Sequence, residues 1–124
     1  MPNLICVECL KDENGNWTDK SMTTAVGTYY SSPIRTHFCD GDTALLVLTS
    51  AGSLAITFEV SNNGINWYTP YDTDGQDLSV VYGALTGDKW IVFTPEIAEY
   101  IRFKFVLTSS NSTVTARYIH KEWV

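Results

Sequence analysis

Histidine and cysteine are scarce, with two and three respectively in 124 residues. Three is an odd count, which argues against a closed disulfide framework and for a reducing place of synthesis. A nucleophilic catalytic set needs a serine or cysteine with a histidine base and an acid. Neither His37 nor His120 lies in such a motif, and His120, followed by Lys121 and Glu122, reads as close to an exposed terminus. The chain is therefore read as non-enzymatic and free of cofactors. Long apolar runs are missing too: none approaches the roughly 20 residues of a membrane span. The opening Met1-Pro2-Asn3-Leu4-Ile5-Cys6 does not resemble a secretory leader. Basic residues are few, eight Lys and Arg against 14 Asp and Glu, for a net charge of −6. That balance repels a phosphate backbone and argues against a nucleic-acid partner. Helical signals are nearly absent; the one candidate, Pro95 to Glu99, is too short for more than a turn. With no repeat, low-complexity run or linker, residues 1–124 read as one domain.

What is abundant is alternation with period two. In Leu54-Ala55-Ile56-Thr57-Phe58-Glu59-Val60-Ser61 the even positions are large and apolar, so one face is core and the other surface. In Tyr100 to Leu107 the odd members Ile101, Phe103, Phe105 and Leu107 point inward while Arg102 and Lys104 point out, and Val114, Ala116 and Tyr118 continue the rule in a last strand. Residues 43 to 49, Thr-Ala-Leu-Leu-Val-Leu-Thr, are apolar on both faces, as in a central strand covered on each side or one at a subunit contact. Further strands are expected over 4–9, 24–30, 34–39, 65–71, 78–82 and 89–94. Between strands lie turn residues at Asn14-Gly15, Ala51-Gly52-Ser53, Asn62-Asn63-Gly64, Asp72 to Gly75, Thr86-Gly87-Asp88 and Ser109-Ser110-Asn111. Eight to ten short strands with turns every 8 to 12 residues predict an all-β, two-sheet antiparallel sandwich of jelly-roll type.

Three clusters invite chemistry. Cys6, Cys9, His37 and Cys39 supply four possible zinc ligands, but Leu4 to Leu10 reads as a strand, on which residues three apart face opposite ways, so no metal is expected. Asp72, Asp74 and Asp77 around Gly75 have the density of a calcium loop without the EF-hand pattern, and read as a polar turn. Aromatics make up 13% of the chain. Trp67 alternates with Ile65, and Trp90 with Val92, as core positions; Trp17, Tyr68, Tyr71 and Trp123 are better placed for exposure, to face a sugar or a protein. Charge is unevenly spread: residues 1–99 hold four basic and 13 acidic groups, and residues 100–124 four basic and one acidic. This is either a solvated strand face or a basic surface that meets an acidic one between copies.

Phe58 to Tyr68, with Phe93-Thr94-Pro95 and Glu99-Tyr100-Ile101-Arg102-Phe103, resembles the strand, S-x-D-G-x-x-W, strand, R-Y-I-R-F order of discoidin or galactose-binding-like sandwiches, over about residues 43 to 107. That resemblance implies that the Asn63-Gly64 turn returns Trp67 to the core, and that Tyr68, Tyr71 and Asp74 at loop tips are first suspects for a carbohydrate. As a whole, the chain is similar in style to the small β-sandwich virion proteins of tailed bacteriophages. The features that carry this are Ser31-Ser32-Pro33-Ile34, the apolar strand 43 to 49, the turn 61 to 64, the closing hairpin from Ser109, and 25 Ser and Thr residues. The resemblance implies a virion protein assembled in the host cytoplasm, a capsid decoration or cement protein or a tail or fibre component, whose partners are other virion proteins and copies of itself, trimers included. Edge strands with few lysines to protect them fit such assembly. Candidate contacts are Arg102, Lys104 and Arg117 on a basic face, with Trp17, Tyr71 and Trp123 as aromatic anchors. The alternative function is a carbohydrate-binding module.

Overall fold

The structure, a computed structural model, describes residues 3–8, 22–36, 43–93 and 98–122. Ten strands run in chain order: β1 (Asn3–Glu8), β2 (Met22–Thr24), β3 (Gly27–Tyr30), β4 (Ile34–Arg35), β5 (Thr43–Thr49), β6 (Ser53–Ser61), β7 (Val80–Leu85), β8 (Lys89–Phe93), β9 (Tyr100–Thr108) and β10 (Ser112–Glu122). They form two antiparallel five-stranded sheets. The first has the order β1-β10-β5-β8, with β2 continuing the position of β1 along β10; the second has the order β3-β9-β6-β7, with β4 continuing the position of β3 along β9. Counted by position, this is the eight-stranded wiring of a jelly roll, in which only the β6 to β7 connection stays within one sheet.

Alternation places the core. Ile101, Phe103, Phe105 and Leu107 of β9 stand opposite Val60, Phe58, Ile56 and Leu54 of β6. From the first sheet come Leu45 and Val47 of β5 and Val114, Ala116 and Tyr118 of β10, and nearly all of these side chains are buried. Five rings link the layers. Phe93 lies edge-on to Phe103 at 5.8 Å, Phe103 lies 5.7 Å from Tyr118, and Phe58 and Phe105 flank the group, each 6.2 Å from its neighbour. Such tilted and edge-on pairs suit the ring quadrupole.

The corners where the chain changes sheet are tied by hydroxyls. Ser112 Oγ accepts from the Ser50 and Ala51 N–H groups at 3.1 and 3.0 Å and shares a 2.7 Å hydrogen bond with Thr49 Oγ1. Gly52, at φ 72°, brings the β5–β6 corner against the β9–β10 corner: a Cβ there would meet Ser110 O at 2.6 Å and Thr108 O at 2.9 Å.

Several strand expectations change. The run 24–30 is broken by a bend at Val26, where the N–H donates to Asn111 Oδ1 (2.9 Å). The run 34–39 keeps only Ile34 and Arg35 as strand, and residues 37–39 lie outside the described residues, as do Asn14-Gly15 and most of Pro95 to Glu99. Residues 65–71 are not a strand. Among the described residues their backbone pairs with the sheet at the Val60 to Tyr68 bridge, and the segment then turns back on itself, with Leu78 N–H bonding Pro70 O.

Candidate protein-docking surface

The outer faces of the two sheets are dressed differently. On the second sheet, opposite residues Glu59 and Arg102 face outward, and Arg102 Nε donates to Glu59 Oε1 at 2.8 Å. The guanidinium also lies 4.8 Å from the Tyr30 ring and 4.7 Å from the Trp67 ring. This is a cation held by one carboxylate between two aromatic faces. Trp67 is thus not core: the turn at Asn62-Asn63-Gly64 places it outside, over Arg102, and nearby Ile65 is 77% exposed. Ser61 Oγ accepts from the Asn63 and Gly64 N–H groups (3.2 and 2.9 Å), and Asn63 Oδ1 accepts from Ile65 and Asn66 (2.9 and 3.0 Å). Side chain and backbone close this turn locally, so the chain does not run on as a strand.

The first sheet presents an apolar outer face. Val92 of β8 stands opposite Ala44 of β5, which stands opposite Ile119 of β10; Trp90 stands opposite Leu46, which stands opposite Arg117. Leu48 extends the stripe and is itself exposed, while Trp90 and Val92 are 59% and 61% exposed. The expectation that Trp90 and Val92 are core is overturned by register. β8 is apolar on both sides, and its pairing with β5 sends Ile91 and Phe93 inward beside Leu45 and Thr43 and leaves Trp90 and Val92 outside. Residues 43–49 are apolar on both faces: Thr43, Leu45, Val47 and Thr49 are buried inside, and of the residues on the other face Ala44 is buried, Leu46 half-buried and Leu48 exposed.

The proposed contact residues separate in space. Arg102 and Lys104 face out from the second sheet, but Arg117, flanked by the inward Ala116 and Tyr118, faces out from the first. They do not form one basic face. Tyr71 is exposed on the 62–79 excursion, while Trp17 and Trp123 lie outside the described residues. Tyr68 is exposed beside a shallow cleft of about 310 Å³ bounded by Val60, Ser61, Asn62 and Ala98.

The acidic turn spends carboxylates on its own backbone. Asp72 Oδ1 accepts from the Asp74 and Gln76 N–H groups, each at 2.8 Å, and Asp77 accepts from Ser79 N–H at 2.7 Å. Hydrogen bonds from the Ser79 hydroxyl and N–H hold the Asp77 carboxyl below its ordinary value of 3.8. Cys9, His37 and Cys39 lie outside the described residues; of Cys6 the backbone is described, paired with Ile119. His120 does not sit at an exposed end. It is 3% exposed on the inner face of β10, with its ring 5.1 Å from Tyr118. Parity with Val114, Ala116 and Tyr118 is the signal that finds it.

No family model matches the sequence, and no curated protein matches it. Among solved structures, the chain is similar to the SPBc2 prophage-derived protein YomS, with a TM-score of 0.60 at 14% identity, over 98% of this chain and 96% of that one. The likeness is one of fold, along the whole length of both proteins.

Proposed function

We propose that the chain is a non-enzymatic structural component of a phage particle, and specifically a decoration or cement protein that binds shell subunits through the outer face of its first sheet. The observation that carries this reading is the stripe of Leu48, Trp90 and Val92, exposed and backed by Leu46 and Ile119. Exposed tryptophan beside aliphatic side chains is the composition of an interface centre, where a buried aromatic anchor contributes much of the affinity. The full-length likeness to a prophage-derived protein supports the choice of a phage particle over other assemblies. Burial of this stripe against a shell or tail protein, repeated over many copies, would stabilise the particle without any cofactor. Mass spectrometry of purified particles induced from the host that carries the gene tests it. The chain should be present in a fixed ratio to the major shell protein, and its absence from particles would overturn the reading.

A second reading, a carbohydrate-binding module, is favoured by exposed Tyr68 beside its cleft and by exposed Tyr71, since tyrosine faces can stack on sugar rings. Saturable binding on a glycan array, lost in Tyr68→Ala, would support it against the first.

A further inference from the structure

Among the described residues β8 is an edge strand, paired on one side alone, with β5. Which of its groups are unused follows from antiparallel alternation, in which successive residues bond to opposite neighbours. Thr49 N–H donates to the Asp88 carboxylate just before β8, whereas Ser50 N–H donates to Thr113 O of β10. Odd-numbered residues of β5 therefore bond toward β8. At the far end Phe93 O accepts from Thr43 Oγ1 at 3.0 Å, so the Phe93 carbonyl points into the sheet. Lys89, Ile91 and Phe93 are thus the residues bonded to β5, and the N–H and C=O groups of Trp90 and Val92 face the open edge.

We propose that this edge pairs with β8 of a second copy, antiparallel about a two-fold axis at Ile91. The sequence Lys89-Trp90-Ile91-Val92-Phe93 is complementary to itself in that register. Trp90 of each copy falls opposite Val92 of the other, so their four free N–H and four free C=O groups, counted over both copies, form four backbone hydrogen bonds. On the outer face this makes two aromatic to β-branched pairs, a favourable cross-strand combination, and Ile91 meets Ile91 on the inner side. The single charge of the strand, Lys89, falls opposite Phe93, so no like charges meet. An isologous contact of this kind closes on itself, which an exposed apolar edge needs to avoid open-ended pairing. The two first sheets become one continuous sheet, and their outer stripes join into one of double length.

A five-residue edge buries well under the roughly 1,600 Å² of a standard stable interface, so the dimer is expected to be concentration-dependent. This inference deepens the docking reading and rests on it only for the use to which the dimer is put. A monomer that still binds particles sinks the pairing and leaves docking standing; a dimer found nowhere in particles does the reverse.

Sedimentation velocity of the full chain across the micromolar to submillimolar range is the test. The expected result is a rise from 13.9 kDa to twice that mass. Val92→Pro removes an N–H that faces the open edge and leaves the ladder to β5 intact, so it should stay monomeric with wild-type circular dichroism. Trp90→Lys should weaken association at least tenfold, and Val80→Lys, equally exposed on the edge strand β7 of the other sheet, should leave it unchanged. Should Val92→Pro not fold, amide exchange on the wild type decides: the Trp90 and Val92 amides should slow as concentration rises. A wild-type chain that stays monomeric, a trimer in place of a dimer, unaltered dimerisation in both edge variants, or exchange at these amides independent of concentration would each overturn the proposal.

Discussion

Gly52 offers the sharpest test of how the two layers are joined. Its replacement by alanine introduces two costs that can be separated. The first is conformational: at φ 72° an L side chain crowds its own backbone, at about 1 to 2 kcal/mol. The second is steric. The new Cβ would stand 2.6 Å from Ser110 O, 2.9 Å from Thr108 O and 3.0 Å from Leu107 Cδ1, and the first two are backbone atoms of the opposing corner that cannot swing aside. Forcing a methyl group into packed surroundings adds about 1 to 3 kcal/mol. Reduced freedom of the unfolded chain returns about 0.4 to 1 kcal/mol. The net loss is about 2 to 4 kcal/mol, which for a domain of this size lowers Tm by roughly 10 °C. Gly75→Ala is the control, because Gly75 sits at φ 81° with nothing within 4 Å of the new Cβ. It carries the conformational cost alone, about 1 kcal/mol or less after the unfolded-state gain. Urea melts of the two variants against wild type measure the difference directly. Equal losses would refute the reasoning, since the β5–β6 and β9–β10 corners could not then be in contact.

Other perturbations bear on other parts of the fold. Ser112→Ala removes the acceptor of the Ala51 N–H, while the Ser50 N–H keeps Thr113 O and the Thr49 hydroxyl keeps Ala51 O, and should cost about 1 to 2 kcal/mol by chemical denaturation; an unchanged midpoint would show that water replaces the hydroxyl. Phe103→Ala empties the centre of the ring cluster and should cost about 3 to 5 kcal/mol. Arg102→Lys should shift Trp67 fluorescence while leaving the fold intact, because an ammonium cannot lie flat between Tyr30 and Trp67. For Asp77 the folded carboxyl titrates below 3.8, so its stabilising effect is complete above that pH and is lost as pH falls through the lower folded value. Asp77→Asn should therefore flatten the acid limb of the stability profile, and an unchanged limb would remove Ser79 as the cause.

Much of the fold was legible because period two names a strand and its two faces at once. Residues 43–49 are strand β5 end to end, and the inward sets of β6 and β9 are those that alternation names. Period two does not decide the inward face where both faces are apolar. In Lys89 to Phe93 either parity could be core, and only pairing with Leu45 and Thr43 decides that Ile91 and Phe93 go in while Trp90 and Val92 stay out. The apolar outer stripe was invisible because its members come from three strands whose order in the sheet is not their order in the chain. Trp67 was missed differently. Its run is β-prone, yet Ser61 and Asn63 capture four backbone N–H groups and turn it away from the sheet. The basic residues after position 100 share a stretch of sequence but not a surface, because β9 and β10 belong to different layers.

The outer face of the first sheet is the surface proposed to meet neighbours in a particle. Lysine-directed cross-linking of purified particles, followed by mass spectrometry, reads this, since Lys89 is exposed next to Trp90 at the edge of the first sheet and Lys104 faces out from the opposite sheet. Cross-links from Lys89 to shell subunits and to Lys89 of a second copy are expected, with Lys104 linked to neither. Particles that contain the chain but link it to the shell through Lys104 alone would contradict the account.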